Sequence, residues 1–341
     1  MTALGASPAP EGFTSRSSAN ALRRLQAPVR DRLDEVTEEM WNTVATDAPL
    51  VAQMSAHLMA MRGKMFRPTL VLLSSDVEDR AERTSITLAA AVELIHLATL
   101  VHDDAIDHSV LRRGMPTLNS LFNHQISVIM GDFLYSTALN RLVTVGNIAA
   151  LHALTRASTA MTIGELQQLT ASSPLDASEE DYFALIRAKT ASLMSAACEI
   201  GALCGAESRR ETLADFGVRL GMAFQITDDL IDYTEAATTT GKPAGIDLRE
   251  HKVTLPLIYA LREMSANDRK KVEELFAAAP PADEAIAEVI SLVTEKGGLD
   301  YARSIAARYA NEAERTLESL PDTVARTALF ESISYVMERH A

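Results

Sequence analysis

"LVHDDAIDHSVLRRG", residues 100–114, sets Asp103, Asp104 and Asp107 into a run of Leu, Val, Ile and Ala, then follows them with Arg112 and Arg113. The apolar pattern around it predicts a helix over 82–107 that is hydrophobic on nearly every face, the mark of a central helix in a bundle. On that helix Asp103 and Asp107 lie four apart and share a face, with Asp104 about a quarter-turn round. "QITDDLID", residues 225–232, repeats the pattern. Asp228, Asp229 and Asp232 stand near the C-terminal end of a second all-round apolar helix, 210–237. The plainer reading of one DDxxD is a solvated acidic face, since like charges four apart cost only about 0.2–0.5 kcal/mol. Two of them on buried helices, where an unpaired carboxylate costs several kcal/mol, call for cations between them. Short carboxylates suit a hard, oxygen-seeking ion, and Mg²⁺ shares its coordination readily with a substrate's phosphates.

The rest of the chain reads as helices too. Of its 341 residues 47% are hydrophobic and only 5% aromatic, and the surplus of Ala, Leu and Met favours helix. No segment alternates convincingly as a strand. The periodicity predicts helices over 20–46, 48–61, 67–76, 82–107, 119–142, 147–171, 178–204, 210–237, 251–263, 267–277, 283–296, 298–318 and 322–339. Glycine and proline punctuate them, at Gly63, Gly114–Pro116, Pro174, Gly205, Gly241–Gly245, Pro280–Pro281 and Pro321. No break is long enough for a domain linker, so residues 20–341 are expected to form a single all-α domain.

Residues 1–19, rich in Ala, Ser, Pro and Gly, read as a disordered tail. A transit peptide is the alternative, because the stretch is acid-poor. It lacks an amphipathic arginine pattern, and a cytoplasmic location is expected. Cys198 and Cys204, six apart, match neither a redox nor a zinc pattern and read as buried thiols in a reducing compartment. Glu93 and His96 interrupt the longest apolar run, 87–101, so no membrane span is expected. A net charge of −14 argues against nucleic acid as a general partner, though not against a local anion site.

Such a site has candidates. Lysine is rare, yet Lys64, Lys189, Lys242 and Lys252 all fall in unusual segments. "RGKMFRP", residues 62–68, places Gly63, Lys64 and Arg67 at a helix–loop–helix junction. Arg112 and Arg113 follow the first acidic motif. Lys189 and Thr190 lie within an apolar helix. "GKPAGIDLREHK", residues 241–252, carries Lys242 and Lys252. Arginine offers phosphate a planar fork and lysine a mobile point charge. Basic residues usually decorate surfaces, and each segment alone says little. Together they exceed what one phosphate needs and suggest two diphosphates, one held through Mg²⁺ by aspartates and one held directly.

These motifs resemble the trans-polyprenyl diphosphate synthases: two DDxxD motifs, the "GKxxRP" junction, "RRG", "KT" and "GKPAGIDLREHKVTLPL", over a match from about residue 20 to the C-terminus. The resemblance implies an isoprenoid synthase fold, a helical bundle around a central cavity, and a homodimer. It implies that Asp103, Asp104, Asp107, Asp228, Asp229 and Asp232 hold a cluster of three Mg²⁺ ions on an allylic diphosphate. Gly63, Lys64, Arg67, His96 and Arg113 would form the isopentenyl diphosphate subsite. Arg112, Lys189, Lys242 and Lys252 would touch the allylic diphosphate, with Thr190 and Gln225 lining the reacting carbons. The expected reaction is ionisation, condensation and elimination, starting from farnesyl or geranylgeranyl diphosphate.

The growing chain is expected to run from Asp103 toward the N-terminal end of its helix, one turn of 5.4 Å per isoprene unit. Ala98 and Thr99 would face it, with Ile95 deeper and Met130, Phe133 or Leu134 closing the floor. These three read equally well as ordinary core. A bulky aromatic before the first motif goes with short products in this family. Ala98 and Thr99 leave the way open, as in the heptaprenyl-to-nonaprenyl synthases that make quinone side chains. Peripheral contact with a membrane would help release so apolar a product.

Four alternatives stand beside this reading. One is a geranylgeranyl-length product. A class I terpene cyclase has one DDxxD and no need for Lys64 and Arg67. A phosphohydrolase built on His102 would want further histidines, and His96, His108 and His124 fall at no metal spacing. A subunit of a hetero-oligomeric synthase typically lacks the aspartates that are intact here.

Overall fold

The computed structural model describes residues 16–61, 63–170, 174–234 and 245–340. Helix follows helix, as the composition demands. They are α1 (Arg16–Gln26), α2 (Arg30–Val44), α3 (Pro49–Ala60), α4 (Phe66–Ser75), α5 (Thr84–Ile106), α6 (Leu118–Leu121), α7 (His124–Val145) and α8 (Ile148–Thr170). Then come α9 (Glu179–Ile186), α10 (Ser192–Ala202), α11 (Arg210–Thr234), α12 (Ile246–Arg249), α13 (Leu255–Glu263), α14 (Ala266–Ala277), α15 (Asp283–Glu295), α16 (Gly298–Leu317) and α17 (Val324–Met337).

The helices depart from the predicted boundaries where backbone chemistry intervenes. The segment expected as one helix over 20–46 starts at Arg16 and breaks at a 3₁₀ turn, Ala27–Val29, because Pro28 has no N–H to donate. The segment expected over 178–204 is split by a π-helical turn, Arg187–Ala191, of the kind found at functional sites. Residues 251–254 are not helical; α13 starts at Leu255 with a proline in its first turn. One strand pair appears where none was expected: Leu111–Arg112 against Met115–Pro116. Its two-residue loop, Arg113 (φ 51) and Gly114 (φ 75), has both residues in the left-handed region, as a tight hairpin turn requires.

Helix α5 packs along α7 and against α2 and α4; α10 sits among α4, α8 and α11; α11 lies along α16. Helix α11 joins two layers of core. Its first half buries Leu213, Phe216 and Leu220 in the larger layer with Leu70, Leu94 and Met130. Its second half buries Ile226, Leu230 and Tyr233 in a smaller layer with Leu257, Ile258 and Val289. Helix α5 is by length and composition apolar enough to cross a membrane, contrary to the expectation from residues 87–101. Its apolar window is 67% buried inside the protein, which is the position of a core helix. The central position expected for both motif-bearing helices is what this packing produces.

Candidate active site

Helices α5 and α11 both end close to their aspartates, where each presents the negative pole of its macrodipole and so favours cations. In the first motif Asp104 is buried, 4% exposed, and accepts both its bonds from Arg112 Nε, at 2.8 and 2.9 Å. Asp103 lies near Lys189 and Arg112, but also near Glu165 and Asp107; burial above all drives its carboxyl up to about 6. Asp107 caps α5 and is exposed, with Lys252 Nζ 3.9 Å away. Ile106 is exposed as well, because the helix ends there, so the apolar frame around this motif is one-sided. His102 faces α7: its Nε2 lies 3.1 Å from the Val128 carbonyl and 3.3 Å from Asp132. A Cβ on Gly131 would come within 2.2 Å of the His102 ring, so glycine lets the two helices meet.

The second motif is held differently. Asp229 is buried and accepts from Tyr182 Oη at 2.6 Å and Gln225 Nε2 at 2.8 Å. Asp232 accepts the backbone N–H groups of Ile246 and Asp247 at 3.0 and 2.9 Å. Asp228 pairs with Arg339 at 2.6 Å, from the turn beyond α17. Burial, with repulsion among Asp228, Asp229, Asp232 and Asp247, raises the carboxyls of Asp229 and Asp247.

The two motifs face one another. The π-helical turn puts Lys189 between Glu165 (2.5 Å) and Gln168 (2.7 Å), within the field of Asp103. The next residue, Thr190, donates to Gln225 Oε1 at 2.7 Å. Gln225 in turn donates to Asp229, so this turn reaches the second motif through hydrogen bonds and the first through the charge of Lys189. Lys252 closes the other side, between Asp107 and the charge of Asp247. All the site's carboxylate donors are hard oxygens, and burial raises those of Asp103, Asp104, Asp229, Asp232 and Asp247, a penalty that an added cation relieves. Among the described residues no three His, Cys, Asp or Glu side chains are gathered as a ready cage.

Of the remaining basic residues, Arg67 and Arg113 lie, with Arg112, within the field of His96. Arg113 donates to the Met61 carbonyl at 2.7 Å, with its guanidinium against Gly63. Lys64 Nζ stands 5.5 Å from the centre of the Tyr335 ring. His96 is flanked by Arg67, Arg113 and Arg112; burial first, then these charges, lowers its pKa well below the usual value and keeps it neutral. Of the expected product-facing residues, Ile95, Ala98, Met130 and Leu134 are buried, whereas Thr99 and Phe133 are partly exposed. Lys242 lies outside the described residues. Sequence reasoning missed Glu165, Gln168, Tyr182, Asp247 and Arg339 as neighbours of the site. Asp247 stood inside a quoted motif; the others carried no local signal.

Comparison with known proteins identifies the family. The polyprenyl synthetase family model matches residues 48–293. Octaprenyl diphosphate synthase of Haemophilus influenzae is 34% identical over 321 residues, 94% of this chain and 96% of that one. Heptaprenyl diphosphate synthase component 2 of Geobacillus stearothermophilus is 34% identical over 93% of this chain and 99% of its own. A crystal structure of polyprenyl synthase from Caulobacter crescentus, complexed with calcium and isoprenyl diphosphate, superposes with a TM-score of 0.89. It is 34% identical and covers 97% of this chain and 100% of that one. The chain belongs to the polyprenyl synthetase family, all-α prenyltransferases that condense an allylic diphosphate with isopentenyl diphosphate.

Proposed function

We propose that the protein makes a long-chain all-trans polyprenyl diphosphate, in the heptaprenyl-to-nonaprenyl range, from farnesyl or geranylgeranyl diphosphate and successive isopentenyl diphosphates. The observation that supports this reading best is that adjacent residues of the π-helical turn serve both motifs: Lys189 lies in the field of Asp103, and Thr190 bonds through Gln225 to Asp229. Asp103, Asp104, Asp107, Asp228, Asp229 and Asp232 would hold Mg²⁺, three ions in all. When bound, Mg²⁺ supplies Lewis-acid neutralisation of the departing diphosphate. Arg112, Lys189, Lys242 and Lys252 add fixed positive charge to the same group. Two unit charges 4 Å apart gain about 4 kcal/mol at an effective dielectric of 20.

Lys64, Arg67, His96 and Arg113, with Gly63 giving room, hold the diphosphate of isopentenyl diphosphate so that its double bond meets the allylic carbon. The C–O bond of the allylic substrate breaks, a C–C bond forms, and a proton passes from the condensed product to the released diphosphate. Thr190 and Gln225 line that space, and the apolar helices around it exclude water, which would quench the cation. Incubating the purified chain with farnesyl diphosphate, isopentenyl diphosphate and Mg²⁺, and sizing the products, tests the reading. Products that stop at geranylgeranyl length would reject it in favour of a medium-chain synthase. Ala98→Phe should shorten the product, and an unchanged length would remove Ala98 from the product path.

Two relatives bear names that read "component 2", yet all six aspartates are present here and support an enzyme active without a second kind of subunit. Helices α7 and α8 expose Ile129, Val143, Ile148, Ile163 and Leu166, an apolar face that supports a homodimer. Val110, Leu111 and Leu121 lie exposed just beyond the first motif and suit peripheral contact with a membrane that receives a quinone side chain. Light scattering on the purified chain tests the dimer.

A further inference from the structure

Lysine carries its charge on a flexible four-carbon stem, yet Lys189 is tied down. Glu165 and Gln168, both on α8, reach its ammonium: Nζ lies 2.5 Å from Glu165 Oε2 and donates to Gln168 Oε1 at 2.7 Å. Standing three apart, the two share a face of that helix. The Lys189 and Glu165 side chains are 28% and 19% exposed, and a pair so shielded is screened less than one at the surface. Among the described residues Glu165 forms no other ion pair.

The backbone explains why these groups meet. In the π-helical turn the Ser192 N–H bonds the Arg187 carbonyl, five residues back, one more than an α-helix spans. Gly164 lets α8 come close to that turn: a Cβ there would lie 3.0 Å from Ala188 Cβ and 3.1 Å from Lys189 Cγ. The two elements thus already touch at Ala188, and the ion pair is not needed to join them. What it adds is a fixed place for the ammonium. An ammonium has three N–H donors, and two acceptors on the α8 side leave one for an anion.

We propose that Glu165 is a positioning residue for Lys189: with Gln168 it clamps the ammonium from the α8 side and so fixes the charge that the allylic diphosphate meets. This rests on the reading of Lys189 as a contact of that diphosphate. Glu165, an anion itself, is unsuited to touch a diphosphate and acts through Lys189 alone. A charge already in place where the leaving group gathers its own needs no reordering as the bond breaks, whereas a lysine left to swing would have to be ordered first.

The test is steady-state kinetics with farnesyl diphosphate and isopentenyl diphosphate varied in turn, on Glu165→Ala, Glu165→Gln, Lys189→Ala and the Lys189→Ala/Glu165→Ala double variant. Glu165→Ala should lower kcat/KM for farnesyl diphosphate about tenfold, the cost of one flexible side chain left unordered, with KM for isopentenyl diphosphate within about twofold. The sign is decisive. Were Glu165 only a counter-charge that weakens Lys189, its removal would strengthen the hold on an anion and raise kcat/KM. A folded Glu165→Ala enzyme with kcat/KM unchanged or raised therefore overturns the inference. Should Glu165→Ala fail to fold, Glu165→Gln, which keeps an acceptor and loses the charge, decides: a fall of about threefold is expected, and no fall overturns the inference. In the Lys189→Ala background Glu165→Ala should have no further effect, because a group that acts through another has nothing left to act on. A second tenfold fall there, as a merely structural role would give, overturns it too. Lys189→Ala separates the two levels. If it lowers kcat/KM for farnesyl diphosphate and the Glu165 variants do not, only the role of Glu165 falls. If Lys189→Ala leaves that value unchanged, the reading of Lys189 itself falls, and the clamp with it.

Discussion

The two DDxxD motifs share their lettering and differ in what holds them. The first is held by cations: Arg112 on Asp104, Lys189 near Asp103, Lys252 near Asp107. The second is held mostly by neutral donors: the Tyr182 hydroxyl, the Gln225 amide and two backbone N–H groups. Neutral donors orient a carboxylate without cancelling its charge. The second cluster therefore accumulates negative charge at Asp229, Asp232 and Asp247, whereas in the first Arg112 offsets Asp104 directly. One repeated motif thus yields one carboxylate clamped by an arginine and one clamped by neutral donors.

The strongest test of this contrast is catalytic. Asp103→Ala should lower turnover by about a thousandfold, at the upper end of losses seen when one charge-stabilising group is removed. Thermal stability should be unchanged or raised, since burial disfavours the Asp103 charge. Normal turnover by that variant would remove the metal-binding role. The next effect is on stability. Arg112→Gln leaves Asp104 buried without its cation and should cost about 3 kcal/mol in urea melts. Tyr182→Phe removes one donor from Asp229 and should cost about 1.5 kcal/mol. Equal losses would mean that cationic and neutral clamping do not differ.

The pH dependence sharpens the comparison. Asp103, Asp229 and Asp247 hold their protons more tightly folded than unfolded. Without divalent ions their contribution to stability is greatest at acid pH and declines as pH rises. For Asp103 the decline runs from 3.8 to about 6, and for the other two it extends further up. A bound cation favours the charged forms, so Mg²⁺ should raise the melting temperature more at pH 8 than at pH 5. Melts with chelator and with Mg²⁺ at both values check this, and an equal rise at the two would count against it. The smallest effect belongs to Arg339→Gln, which frees the half-exposed Asp228. The pair is partly solvated, so the stability change should stay under about 1 kcal/mol.

Much of this was legible along the chain. The helical class, the central place of α5 and α11, and the two motifs follow from periodicity and spacing, because a helix places residues four apart on one face whatever surrounds it. The hairpin at 111–116 was not legible, since its two-residue strands are set by the turn geometry of Arg113 and Gly114 and carry no alternation. The π-helical turn at Arg187–Ala191 hid inside a good helical pattern. Glu93 was visible only as an interruption of an apolar run.

The sequence by itself determined that this chain is a helical bundle with two acidic motifs and a scattered set of rare basic residues, because those features are local. Only the tertiary structure decided which partner faces which carboxylate. It gave Asp104 an arginine, Asp229 a tyrosine and Asp228 an arginine from the far end of the chain. The reason is physical: charge and hydrogen bonding act across space over a few ångströms, and distance along the chain says little about which groups come that close.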